Sequence, residues 1–209
     1  MTTTFARLAS IAVALLVPVA GLVPAEGQQL SVVRPGSFEI DPFLGVSYGI
    51  DQTRFMGGGN VSFAVDKYIL PYVEYSYFPG IGRTDSGSLP NGAPFTYHHS
   101  IPMSDFHGGV HIRIPIRESH VVPYGSFGVG GLSYSSYSEN VSYSTSNGQQ
   151  TFMFPVQGAT NFAVNFGGGL RFYLTPRYGF RVEAKAYKPT GTFTEVFGKA
   201  EVGFFIQLR

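Results

Sequence analysis

Between Tyr178 and Tyr187 the chain alternates without a break. Phe180, Val182, Ala184 and Ala186 take one parity, and Arg181, Glu183, Lys185 and Tyr187 take the other. Successive side chains of a β-strand point to opposite faces, so this run is a strand with one apolar and one polar face. The same pattern recurs about eight times after the first thirty-odd residues, with no helical period between the repeats. A chain of this kind must hide one face of every strand, and few architectures do that.

The periodicity predicts strands over Phe38–Ile50, Gly58–Val65, Tyr68–Phe78, Asp105–Pro115, His120–Tyr134, Asn161–Phe172, Tyr178–Tyr187 and Phe197–Leu208. Phe106, Val110, Ile112 and Ile114 oppose His107, His111 and Arg113; Phe162, Val164, Phe166, Leu170 and Phe172 oppose Asn161, Asn165, Gly167, Gly169 and Arg171. Short turns are expected at Asp66-Lys67, Arg117-Glu118-Ser119 and Thr175-Pro176-Arg177. Two polar stretches, 80–104 and 135–160, read as long loops, and a shorter one spans 189–195. Short and long connections therefore alternate between the two ends of the strands, with both chain ends on the short-turn side.

Alternation alone allows two closed barrels. A soluble, lipocalin-like one turns its apolar face inward around a ligand, and a membrane one turns it outward. The polar face here is built of Gly, Ser, Ala and Asn with scattered charges, which suits the narrow interior of eight strands. Charged residues are only 13% of the chain, too few for the outer surface of a soluble barrel, since soluble proteins average about 25%. Tyr48, Tyr75, Tyr77 and Tyr134 near strand ends suit an interfacial girdle. The expected fold is thus all-β: an eight-stranded antiparallel transmembrane β-barrel in an up-and-down meander. Strands of about ten residues match a tilted crossing of the bilayer.

Residues 1–27 read as a signal peptide, with Arg7, an apolar run from Leu8 to Val23, and Ala25-Glu26-Gly27 as the cleavage region. Residues 28–209 then form the barrel domain. The chain holds no cysteine, which excludes disulfides, thiol catalysis, Cys-based metal sites and attachment of lipid to an N-terminal Cys. A formal charge of +1 offers no footprint for nucleic acid.

In the outward-apolar barrel, the lumen receives Glu39, Asp41, Glu74, Glu183 and Glu201 together with Arg113, Arg171, Arg181, Lys185 and Lys199. An isolated buried charge is costly, so these groups are expected to pair and fill the lumen as a structural network. A narrow gated pore is the alternative reading of the same residues. Gly57-Gly58-Gly59 and Gly167-Gly168-Gly169 lack the Lys and the strand-to-helix setting of phosphate loops and read as close-packing positions. Two glycosylation sequons, Asn60-Val61-Ser62 and Asn140-Val141-Ser142, are short matches, and Asn60 faces the lumen. His98, His99 and His107 are the imidazoles a metal would use, but loop histidines of this kind are ordinary polar surface, and no metal or cofactor is expected.

Three segments carry a resemblance: Phe43-Leu44-Gly45-Val46-Ser47-Tyr48, Pro123-Tyr124-Gly125-Ser126-Phe127-Gly128-Val129-Gly130, and Asn165-Phe166-Gly167-Gly168-Gly169-Leu170-Arg171-Phe172. With Pro71-Tyr72 and Pro123-Tyr124 at equivalent strand starts, the chain from Phe38 onward resembles the small outer-membrane β-barrel domain family of OmpX-like proteins and the OmpA transmembrane domain. The resemblance implies the bacterial outer membrane, contact with its lipid and lipopolysaccharide, and assembly by the outer-membrane insertion machinery. That machinery reads a final strand that usually ends in an aromatic residue; Phe204-Phe205-Ile206-Gln207-Leu208-Arg209 departs from the pattern at its last position. Some barrels of this size modify lipid A through a His base beside a Ser. His98-His99-Ser100, with Asp105 nearby, falls in an expected loop, is followed by Ile101-Pro102, and lacks the strand-borne His-x-Ser-Asn motif. The chain is therefore expected to be a non-enzymatic barrel with a structural or adhesive role, displaying loops to an extracellular ligand. A lipid-modifying enzyme and a soluble lipocalin-like binder are the remaining alternatives.

Overall fold

The structure is a computed structural model that describes residues 32–48, 53–88, 92, 94–117, 119–134, 136–145, 148–191 and 196–208. The expected leader, residues 1–27, lies outside the described residues. Ten strands follow in order: β1 (Phe38–Tyr48), β2 (Arg54–Phe63), β3 (Ile69–Ser88), β4 (Pro94–Arg113), β5 (Val121–Tyr134), β6 (Tyr137–Thr145), β7 (Gly148–Val156), β8 (Ala159–Tyr173), β9 (Tyr178–Pro189) and β10 (Phe197–Leu208). Eight of them close into a barrel in the order β1-β10-β9-β8-β5-β4-β3-β2, while β6 and β7 pair only with each other. Every barrel pairing is antiparallel between chain neighbours, apart from the closure of β1 on β10 and the pairing of β5 with β8 across the β6–β7 hairpin. The fold is an up-and-down eight-stranded β-barrel. Closure removes the edges that a single open sheet would leave unpaired.

The faces follow the parity of the sequence. On the outside, Leu44 is 74% exposed, Phe166 61%, Phe106 60% and Val202 56%, which makes a continuous apolar belt. On the inside, Glu39, Asn165, Arg181 and Lys199 are each 0% exposed. An apolar exterior around a charged interior is the pattern of a barrel whose solvent is lipid. Tyr75 and Tyr77 stand on the outer face, and the Tyr75 hydroxyl is 3.2 Å from Ser104 Oγ. Tyr48 and Tyr134 are half-buried, Tyr48 folding over Gly198 and Tyr134 packing on the inner cluster. At the turn end, Tyr68 and Tyr178 are exposed on the outer face, two girdle positions that periodicity did not single out.

Several boundaries differ from the expectation. β2 begins at Arg54, ahead of Gly58, because Met56 continues the inward parity beyond the glycines. The stretch 80–104 is not a loop. β3 and β4 each run for 20 residues and stay paired from Ile81↔Ile101 to Ser88↔Pro94, past an irregularity between Phe78 and Ile81. His98 and His99 accordingly sit on β4, opposite Thr84 and Arg83. Within 135–160, the nine-residue strands β6 and β7 form their own hairpin. Both departures have one cause. A hairpin outside the bilayer can satisfy its backbone by pairing alone, so it needs no apolar face for periodicity to detect.

The turn between β2 and β3 shows how the short connections close. Asp66 Oδ1 accepts from the backbone amides of Tyr68 and Ile69, both at 2.6 Å. These bonds hold the Asp66 carboxyl below its ordinary value. Their contribution is present above the usual aspartate range and is lost as pH falls through the lowered value. Thr175 Oγ1 does the same between β8 and β9, accepting from Arg177 and Tyr178 at 3.2 and 3.3 Å.

Facing can be tested with two neighbouring residues. Phe166→Arg places a charge on the lipid side and should destabilise the barrel by about 2–4 kcal/mol in a reversible folding measurement in lipid vesicles. Phe166→Leu should stay within about 1.5 kcal/mol of the parent, since the site only asks for apolar volume. Equal tolerance of the two substitutions would contradict the outward assignment.

Candidate functional site

The site is the lumen itself, because that is where the chemistry-bearing side chains converge. Their order along the barrel axis is set by strand register. Nearest the turn end, Glu39 of β1 accepts from Arg113 of β4 at 3.5 Å, from Arg171 of β8, and from Gln207 of β10 at 3.0 Å. Arg113 also donates to the Asp66 carbonyl at 2.6 Å, which ties this layer to a turn. Next, Arg181 of β9 binds Asp41 and Glu183, and its third nitrogen is 2.9 Å from Glu201. Above it, Lys185 lies 2.6, 3.3 and 3.7 Å from Glu74, Glu183 and Glu201. Lys199 binds Glu74, and lies 2.7 Å from Ser76 Oγ and 3.4 Å from Glu201. The ten lumen residues named from the sequence therefore stand in two ion-paired layers, Glu39 with Arg113 and Arg171, and Asp41, Glu74, Glu183 and Glu201 with Arg181, Lys185 and Lys199.

The pairing is not between directly facing neighbours. Register sets Lys185 opposite Lys199, Glu183 opposite Glu201, and Arg171 opposite Arg181. Like charges in facing positions are destabilising. The conflict is relieved along diagonals and across the lumen. Glu74 comes from β3, on the far side of the barrel from β9, and bridges Lys185 and Lys199. Glu39 likewise spans from β1 to β4 and β8. Pairs that reach across a barrel close it, whereas pairs along a wall would leave its centre open.

Asp105 joins the network and was not counted from sequence, because it opened a predicted strand. It is 1% exposed, 3.2 Å from His107 Nδ1 and 3.9 Å from Lys199 Nζ. Among the described residues, six buried carboxylates (Glu39, Asp41, Glu74, Asp105, Glu183, Glu201) thus meet five fixed cations (Arg113, Arg171, Arg181, Lys185, Lys199), a near balance of charge. Glu74, Glu183 and Glu201 offer oxygens within 4.8 Å of one another, a cluster of the type that holds a cation. Lys185 touches all three, so the protein supplies that cation itself. His107 lies eight positions along β4 from His99, about 26 Å at strand rise.

Aromatic rings complete the filling. His111 stacks on Tyr72 at 4.3 Å and tilts against Tyr124 at 4.8 Å, and Tyr72 donates to Asn165 at 3.3 Å. Small residues on the facing strands make room. A Cβ on Gly128 would fall 2.6 Å from the Tyr72 hydroxyl, and one on Gly203 would fall 2.2 Å from Asp41 Oδ1. The Gly-rich inward parity is therefore the mould of the large polar groups opposite.

Two apolar layers enclose the charges. Toward the loop end, Met56, Phe78, Met103, Leu132, Tyr187 and Phe197 form a buried cluster with Phe43. Lys199 Nζ lies 5.1 and 5.2 Å from the Phe43 and Tyr187 rings, so the roof meets the network through cation–π contacts. Toward the turn end, Val32, Val33, Val122, Tyr173 and Phe205 form a floor. Arg171 stacks on Phe205 from above at 4.5 Å. Parity placed Tyr187 on the inner face, and the burial of Phe43, Phe78, Phe197 and Tyr173 was not read from it. Nothing periodic marked Val32 and Val33, which belong to no strand.

No protein-family model and no curated protein sequence matches this chain. Solved structures do. Neisserial surface protein A superimposes with a TM-score of 0.56 at 9% identity, covering 83% of this chain and 97% of that one. The N-terminal β-barrel domain of Pseudomonas aeruginosa OprF (TM-score 0.48, 14% identity, 82% and 98% covered) and the Yersinia pestis attachment invasion locus protein Ail (0.48, 14%, 84% and 100%) are also similar. At such identities the likeness is one of fold. This chain has the fold of the small eight-stranded outer-membrane β-barrels.

The network predicts unequal costs for single changes. Glu74→Gln strips the cross-lumen partner from two buried lysines and should cost about 3–5 kcal/mol of folding free energy. Asn60→Ala removes only a 3.3 Å donor to Glu74 and should cost about 1–2 kcal/mol. Urea titration of the barrel in lipid checks both, and similar small losses would show that the cross-lumen pairs contribute little.

Proposed function

We propose that this protein is a non-enzymatic barrel of the bacterial outer membrane, with a structural or adhesive role exercised through the hairpins it displays. One observation carries the reading: the lumen is filled by its own ion pairs between two apolar layers. Such an interior favours a scaffold over a conduit. It supports a non-catalytic role as well. The carboxylates and cations of the lumen are engaged with one another, which leaves them committed to pairing.

The displayed elements are the distal halves of β3 and β4 and the β6–β7 hairpin. β2 stops pairing with β3 at Tyr77, and β5 stops pairing with β4 at Met103. Beyond those points β3 and β4 continue together for about ten residues each, roughly 30 Å at strand rise. Backbone pairing in the hairpins lowers the ordering cost that binding would otherwise carry. On this reading, the belt contacts outer-membrane lipid and lipopolysaccharide, the insertion machinery assembles the barrel, and the ligand of the hairpins is extracellular.

Two measurements test the proposal. The purified barrel should pass little current in a planar bilayer; a large, steady current would favour the narrow pore. On intact cells, added protease should cleave within 80–104 and 135–160 and spare the Asp66-Lys67 turn. Equal cleavage at the two ends, or protection of both hairpins, would reverse or remove the outward display.

A further inference from the structure

At the turn end the apolar belt finishes in a rim of cations. Lys67 stands on the β2–β3 turn and Arg177 on the β8–β9 turn, both exposed, and Arg34 precedes β1, half-buried. Ring order and backbone bonds set the three along one arc. Gly36 N donates to the Ala64 carbonyl at 2.7 Å, which ties the Arg34 segment to the end of β2. Phe38 of β1 pairs with Leu208 of β10, and Gln207 N donates to the Arg177 carbonyl at 2.6 Å. The arc runs over β9, β10, β1 and β2, roughly 20 Å of wall at strand spacing. Among the described residues, none of these three cations is ion-paired. The carboxylate beside Lys67 is turned to the backbone: Asp66 Oδ1 accepts from the amides of Tyr68 and Ile69.

Next to these cations, on the outer face, lie side chains that lipid must cover. Val65 and Tyr68 flank Lys67, Phe38 and Leu208 follow at the β1–β10 seam, and Leu174 and Tyr178 flank Arg177; all six are exposed. Tyrosine is at home at the level of lipid headgroups. Lys67 Nζ lies 4.9 Å from the centre of the Tyr68 ring, which holds the ammonium at that level. Long cationic side chains lay their stems on apolar surface and keep their charged ends at the interface. At this depth such ends meet lipid phosphate. A zwitterionic headgroup carries its own cation beside the phosphate, whereas a headgroup of net negative charge leaves the phosphate to the protein. Attraction to an anionic lipid surface is worth roughly fivefold in affinity for each nearby Lys or Arg.

We propose that the arc of Arg34, Lys67 and Arg177 is a binding surface for anionic phospholipid headgroups, which the barrel gathers from the leaflet at its turn end. The cations hold the phosphates, and the tyrosines and apolar side chains beside them receive the glycerol and the acyl chains. The surface lies outside the lumen and at the opposite end from the hairpins. The inference rests on the reading that the belt contacts lipid, and it does not depend on what the hairpins bind.

The chain contains no tryptophan, so a single one is a clean fluorescent reporter. Tyr178→Trp, beside Arg177, reports on the rim, and Tyr77→Trp reports on the outer face toward the loop end. The full chain is folded into vesicles of mixed phosphatidylcholine and phosphatidylglycerol, with one lipid or the other brominated on its acyl chains as the quencher. At Tyr178→Trp, phosphatidylglycerol should be favoured roughly fivefold over phosphatidylcholine. That preference should vanish when Arg177→Gln and Lys67→Gln are added and persist with Arg177→Lys. Tyr77→Trp should show no such preference. Equal quenching by the two lipids at Tyr178→Trp, an unchanged preference in the glutamine background, or the same preference at both ends would each overturn the proposal. Displacement by inorganic phosphate, but not by sodium chloride of equal ionic strength, would overturn it in favour of a site for free anions. If neither lipid quenches either reporter, the belt does not meet lipid and the underlying reading fails with the inference; equal quenching by both lipids sinks the inference alone. Tyr68→Trp, beside Lys67, repeats the measurement if Tyr178→Trp does not fold.

Discussion

The constraint on which the structure depends is that charges inside a lipid-solvated barrel must be neutralised by other charges inside it. Lipid offers no counter-ion, and the interior of eight strands is too narrow for bulk water. Every feature of the lumen can be read as an answer to this. Carboxylates from β1, β3, β4, β9 and β10 reach toward cations from β4, β8, β9 and β10. Glycines on the opposing strands leave the volume that long side chains need. Aromatic rings take the positions where a cation would otherwise face an apolar layer.

The manner of pairing matters more than the balance of charges. Had Lys185 faced Glu201 across β9 and β10, each wall could have neutralised itself, with nothing drawn across the centre. Register instead sets lysine against lysine and glutamate against glutamate. Glu74 and Glu39 then become cross-braces, each touching strands on the far side of the ring. Like-charge neighbours in register are thus offset both by diagonals within the wall and by braces across it. This ties local sequence order to a filled, cross-braced interior.

The two apolar layers differ in kind. The roof is made from strand residues such as Phe78, Met103, Leu132 and Phe197, so it moves only with the wall. The floor borrows Val32 and Val33 from outside the strands. A barrel closed by its own wall at one end and partly by a separate segment at the other is asymmetric in construction even where its strands are uniform.

How much of this was legible beforehand depends on whether a period of two carried it. The parity of Phe180, Arg181, Val182, Glu183, Ala184 and Lys185 specified which residues enter the lumen, because strand geometry leaves each side chain one of two faces. The low charge of the chain and its small polar parity specified which face meets lipid. Parity names a face, not a partner: that Glu74, from the far side of the ring, lies against both lysines followed only from the ring order of strands and their register. The hairpin halves of β3 and β4 and the strands β6 and β7 were hidden because strands free of lipid need no apolar face. Val32 and Val33 were hidden because their burial comes from barrel closure, which brings Val122, Tyr173 and Phe205 together from three strands. Alternation is local and is written in the chain; contacts across the lumen and beneath it exist only once the ring has closed.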